Sequence, residues 1–149
     1  MEFERAFWPH DRQHVFLEAA CGHAAGLLFN YVPATGRPVL VAMPVVESAT
    51  WVGQADEAEL RRFYTEHLRR AFGRKATAPV RVLKTDWGGD LFSGMSYSYI
   101  RVGSGKAVME ALGAPEGRVH FAGEATAGNA HGTVHGAIAS GIRAAEEVS

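Results

Sequence analysis

The chain has 149 residues, 47% of them hydrophobic and 21% charged, with a formal net charge of −1. That length suffices for a domain with a modest core, and near-neutrality excludes the broad attraction to nucleic acid or an anionic membrane that a strongly basic chain exerts. One cysteine, Cys21 in LEAACGHAAG, excludes an internal disulfide and reads as a small buried apolar residue. No apolar run approaches transmembrane length. MEFERAFWPH has neither a basic n-region nor an apolar h-region, so no signal peptide is expected and a cytoplasmic setting is.

In chain order, HVFLEAA and AGLLFNYV read as strands. PATGRP, between Val32 and Val39, supplies the proline and glycine of a reversal. PVLVAMPV reads as a third strand, near-continuous in apolar residues and therefore expected at the centre of a mainly antiparallel or mixed sheet. Asp56 opens a helix with Glu59 at capping-box spacing; Leu60, Phe63, Leu68, Ala71 and Phe72 form its apolar face, and Gly73 ends it. Arg61, Arg62, Arg69, Arg70, Arg74 and Lys75 gather there, but Asp56, Glu57, Glu59 and Glu66 are interleaved, so no nucleic-acid partner is expected. VRVLKT reads as a strand, residues 87–96 as a glycine-rich loop, YSYIRV as an alternating strand, KAVMEAL as a short helix and GAPEG at 113–117 as a linker.

The final stretch is RVHFAGEATAGNAHGTVHGAIASGIRAAEEVS. Val119, Phe121 and Ala122 suggest a short strand, with Arg118 and His120 alternating outward. Gly123 at its end admits a close backbone or ligand. Thr133 is placed to cap a helix whose Val134, Ile138, Gly141, Ala145 and Val148 make one apolar stripe. Gly136 and Gly141 each cost about 1 kcal/mol against alanine. Gly132, Gly136 and Ala137 leave the first turn bare, either for tight packing on a sheet or for a flat ligand that meets the free N–H groups and the positive end of the helix dipole. His131 and His135 have helical metal spacing, but no third ligand stands nearby and no metal is expected.

Three stretches resemble the flavin-containing amine oxidases, the family of polyamine oxidases, monoamine oxidases and flavin-dependent histone lysine demethylases. HFAGEATAGNAHGTVHGAIASGIRAAEEV is similar to the family's closing strand, Phe-Ala-Gly-Glu turn and Gly-x-x-x-Gly-Ala helix. DWGGDLFSGMSYSYIRVG resembles its Trp-Gly-x-Asp-x-x-Ser-x-Gly-Ser-Tyr-Ser-Tyr stretch, and FERAFWP the start of its substrate domain. The matches fall in the family's order and cover nearly the whole chain.

The resemblance implies an α/β (mixed α+β) fold: residues 1–113 as a sheet-plus-helix portion of the substrate-binding domain, and residues 114–149 as the last strand and helix of the FAD-binding domain. It implies oxidation of a small amine to an imine by hydride transfer to FAD. Gly123 and Glu124 would grip the ribityl-phosphate part of the cofactor. The Thr133 and Val134 backbone N–H groups would face the flavin pyrimidine edge. Tyr97 would wall an aromatic cage in front of the ring, and Trp87 would lie close to it. Monoamine oxidases carry a flavin-bound cysteine where this chain has Ser96, so noncovalent FAD is implied; they carry a second cage tyrosine where this chain has Thr133. Asp86 stands in place of the family's usual arginine. The family's Gly-x-Gly-x-x-Gly turn and the lysine at flavin N5 are absent from the sequence. A C-terminal fragment or subunit is therefore expected, completed by an N-terminal FAD-binding half on the same or another chain. The alternative is a non-catalytic interaction domain that retains the scaffold.

Overall fold

The computed structural model describes residues 1–17 and 25–149, so Cys21 and the end of the first predicted strand lie outside the described residues. The architecture is mixed α/β, in two compact units, Met1–Gly94 and Met95–Ser149. The units meet at 94/95, and the GAPEG stretch lies inside the second unit.

In the first unit, β1 (His14–Leu17), β2 (Gly26–Asn30) and β3 (Leu40–Met43) form an antiparallel meander in the order β1-β2-β3. Leu28 faces Val15 on one side and Ala42 on the other, so β2 is the central strand of the three, not β3. The apolar run of PVLVAMPV is split by burial: Leu40 is buried while Val41 and Met43 are exposed, as on a sheet with one covered face. The reversal at PATGRP begins with a helical turn, α1 (Val32–Thr35), closed by Gly36 at φ 68°. VRVLKT forms no strand: Arg81 makes a single bridge to Glu2, after which the chain turns toward α2 (Glu47–Gln54), a helix the sequence pattern did not announce. Lys84 Nζ donates there to the carbonyls of Val52, Gly53 and Ala55, at 3.3, 2.7 and 2.6 Å, satisfying the acceptors that a helix end leaves open.

The helix α3 (Glu57–Phe72) is capped as expected. Asp56 Oδ1 accepts from the Glu59 amide at 2.8 Å, and Glu59 Oε2 accepts from the Asp56 amide at 2.9 Å. Leu60, Tyr64 and Leu68 are buried with Phe3, Trp8, Leu28 and Leu40, whereas Ala71 is exposed. FERAFWP supplies the edge-to-face cluster of Phe3, Phe7 and Trp8, with ring centroids 4.9–5.3 Å apart.

The second unit has little regular structure beyond α4 (Lys106–Gly113) and α5 (Val134–Glu147). YSYIRV forms no strand, and Val119–Phe121 makes only the bridge Glu116↔Val119. Period-two alternation marks a face, but a strand also requires a neighbour for its N–H and C=O groups, and none of the described residues supplies one. The predicted stripe on α5 faces outward: Val134 is 78%, Ile138 60% and Val148 65% exposed, while Gly136 and Ser140 are buried. No helix among the described residues is long and apolar enough to cross a membrane.

Asn30 is the main polar anchor of the first unit. Its Oδ1 accepts from Trp8 Nε1 at 2.8 Å and from the Val32 amide at 3.1 Å. Its Nδ2 donates to the carbonyls of Pro9, His10 and Arg12. Replacement by alanine strands a buried indole N–H and should lower the unfolding free energy by about 2 kcal/mol or more. Asn30→Asp should not rescue it, because a carboxylate would face those three carbonyls. Urea unfolding followed by circular dichroism measures both, and a loss below about 0.5 kcal/mol would contradict the anchoring role.

Candidate functional site

Glu124 opens a short 3-10 turn, Glu124–Thr126, directly after Gly123. Gly123 adopts φ 142°, a conformation that favours glycine. Its N–H donates to Ser140 Oγ at 2.8 Å, and its carbonyl accepts from Thr126 Oγ1 at 2.9 Å. The turn is thereby fixed against the buried side of α5. Arg143, one turn further along, donates to the carbonyls of Gly113 and Phe121 and to Thr126 Oγ1, and pairs with Glu147. It ties the end of α4 and the 121–126 segment to one helix.

The Glu124 carboxylate accepts three hydrogen bonds from the chain itself. Oε1 takes the Ser98 amide at 2.8 Å; Oε2 takes the Ser98 hydroxyl at 2.7 Å and also the Gly132 amide. Partial burial pushes this carboxyl up, but the Ser98 hydroxyl, the Gly132 and Ser98 amides and the nearby His131 outweigh it and hold the group below the ordinary glutamate value. A carboxylate offers about four acceptor positions, so Oε1 retains room for one further donor.

Gly132 leads into the N-terminus of α5. Thr133 Oγ1 accepts from the Gly136 amide at 3.1 Å and donates to the Ala130 carbonyl at 2.5 Å. Thr133 is thus the N-cap that the sequence indicated. No hydrogen bond among the described residues engages the Thr133 or Val134 amide. These donors sit at the positive end of the helix and suit an electron-rich edge. The first turn is not bare throughout, however. A Cβ on Gly136 would lie 2.1 Å from the Ala130 carbonyl oxygen, so this glycine admits the chain's own 127–130 turn rather than a ligand.

Tyr97 is half exposed, and its Cδ2 lies 3.6 Å from the Cβ position of Gly132. Tyr97, Gly123, Glu124, Thr133 and Val134 therefore converge within the second unit. Trp87 belongs to the first unit, half exposed in a turn, where Asp86 Oδ1 accepts from the Gly89 amide at 3.1 Å. Asp86 makes a local turn in place of an arginine's ion pair. Its carboxylate also approaches α2, 3.0 Å from the Cβ position of Gly53. Sequence reasoning missed Ser98, Ser140, Arg143 and Lys84. Each bonds to a residue distant in sequence, a relation that periodicity does not encode.

A family model described as flavin containing amine oxidoreductase matches residues 1–149. The chain is 35% identical over 147 residues to Polyamine oxidase 2 of Arabidopsis thaliana, covering 99% of this chain and 30% of that protein. It is 37% identical over 161 residues to Histone demethylase-like protein A of Aspergillus fumigatus, covering 98% of this chain and 15% of that protein. Lysine-specific histone demethylase 1 homolog 1 of Oryza sativa is 36% identical over 126 residues, covering 82% of this chain and 15% of that protein. The chain thus spans less than a third of the length of these relatives.

Two predictions follow from the geometry. Gly136→Ala should destabilise the chain by roughly 1–3 kcal/mol through the collision with Ala130, whereas Gly141→Ala, with open space around it, should stabilise by about 0.5–1 kcal/mol. Thermal unfolding reads both, and equal effects would contradict the packing of the 127–130 turn. The second concerns acid. The Glu124 carboxyl titrates lower in the folded chain than its ordinary value of 4.5, so its stabilisation is complete above that value and is lost as pH falls through the folded one. Below pH 4.5 the natural chain should lose stability more steeply than Glu124→Gln. Parallel slopes in acid-side urea titrations would show that Glu124 carries no such linkage.

Proposed function

The chain belongs to the flavin containing amine oxidoreductases, and on that premise we propose that it is the C-terminal part of an FAD-dependent amine oxidase, acting with an N-terminal FAD-binding half on the same or another chain. Residues before the 113–117 stretch then belong to the substrate-binding domain, and those after it to the cofactor domain. FAD, held noncovalently, would supply the hydride acceptor for conversion of an amine to an imine. Support comes from the Glu124 carboxylate, which accepts from Ser98, next to Tyr97, and from Gly132, next to the α5 N-cap.

The donor set fits such a cofactor. The free position on Glu124 Oε1 suits a sugar-chain hydroxyl, and the unengaged Thr133 and Val134 amides suit a polar, electron-rich ring edge. Those amides, backed by the helix dipole, would stabilise negative charge at that edge. Gly123, without a side chain, lets the turn come close. Tyr97, held against Gly132, would orient an amine by its aromatic face and exclude water from one side. Trp87 would provide a second aromatic surface. The exposed apolar stripe of α5 suits coverage by the complementary half. It would equally serve the alternative, a non-catalytic interaction domain.

Mixing or co-expression with an N-terminal half that carries the Gly-rich turn and the lysine decides between them. The chain alone should not retain stoichiometric FAD; the reconstituted protein should be yellow and should bleach anaerobically with an amine. Tyr97→Ala should keep its flavin and slow bleaching on the order of tenfold or more. Stoichiometric FAD on the isolated chain, or a yellow reconstituted protein that no polyamine or monoamine bleaches, would contradict the proposal.

A further inference from the structure

Ser98 is the residue that Glu124 grips most fully, through both its backbone N–H and its hydroxyl. A two-point hold on one residue fixes the peptide plane that joins it to Tyr97. The same Oε2 that accepts the Ser98 hydroxyl accepts the Gly132 amide, directly before Thr133. The consequence is visible at Gly132, where the Tyr97 ring edge and the Ser98 carbonyl lie 3.6 and 3.9 Å from the Cβ position. Gly132 itself has φ 69°, so its backbone is held in a conformation that favours glycine where the ring rests on it.

We infer that Ser98 is a positioning residue which, through Glu124, holds the Tyr97 ring and the N-terminus of α5 in a single geometry. The inference rests on the assignment of Tyr97 to the amine and of the Thr133 and Val134 amides to the flavin. It changes what Glu124 does. A residue that only gripped the cofactor would affect flavin binding alone. A residue that also carries Ser98 links cofactor binding to the orientation of the aromatic wall, and Ser98→Ala should impair both without touching either ligand.

The test needs no cofactor. In the natural 149-residue chain, nuclear magnetic resonance should show scalar coupling across hydrogen bonds from the Ser98 and Gly132 amide nitrogens to the Glu124 carboxyl carbon. It should also show a nuclear Overhauser contact between the Tyr97 ring and Gly132. Ser98→Ala should accelerate Gly132 amide exchange roughly tenfold and weaken that contact, with α3 amides unchanged; Ser98→Thr, which keeps the hydroxyl, should restore both. Missing couplings in the natural chain would overturn the inference even if Ser98→Ala fails to fold. So would a folded Ser98→Ala with Gly132 exchange and the Tyr97 contact unaltered. In the reconstituted protein, Ser98→Ala should weaken FAD retention and slow amine-driven bleaching together. If the couplings and the threonine rescue are present but no amine bleaches the natural reconstituted protein, the oxidase assignment fails while the Ser98 geometry stands.

Discussion

The second unit depends on one carboxylate. Among its described hydrophobic side chains only Met109 is buried, so apolar packing contributes little to its shape. Glu124 instead accepts donors from residue 98 and from residue 132, closing one long span and one short one onto the turn that follows Gly123. Hydrogen bonds to a charged acceptor are stronger than neutral ones and more directional than apolar contact. They set positions that a thin core leaves free. Arg143 does the complementary work at the other end, donating to the carbonyls of Gly113 and Phe121. With both ends tied, the α5 N-terminus and the Tyr97 ring edge come into register.

The first unit uses the same device on a better-filled core. Asn30 anchors the 8–12 segment to β2, and Lys84 anchors the loop that carries Trp87 to the end of α2. In each case a polar side chain satisfies backbone groups that would otherwise need water. A loop held this way can present Trp87 half exposed yet oriented.

The parts legible from sequence were those written in local chemistry. Asp56, Glu59 and Gly73 delimit α3, and Thr133 opens α5, because caps act within a turn of their own position. The β1-β2-β3 meander was legible from its alternating runs and turn residues. Strands at VRVLKT, YSYIRV and 119–122 were misread because alternation specifies a face without specifying a partner. The central position given to β3 failed for a related reason, since apolar composition does not reveal which neighbours a strand has. The outward stripe of α5 reflects the converse: Gly136 is buried because the 127–130 turn folds over it, leaving Val134 and Ile138 outside. The candidate site residues were named from resemblance to the family. Their convergence on Glu124 was not legible, because Ser98 and Gly132 carry no pattern that announces a shared acceptor.

The central claim is that Glu124 holds Tyr97 and the N-terminus of α5 as one mechanical unit. The most direct test is a double-mutant cycle in the reconstituted flavoprotein, with Glu124→Gln and Tyr97→Ala made singly and together and anaerobic flavin reduction by an amine as the readout. Independent residues give additive effects to within about 0.5 kcal/mol. The account predicts an interaction energy of about 1 kcal/mol or more, with the double variant less impaired than the sum of the singles. Additivity would contradict it.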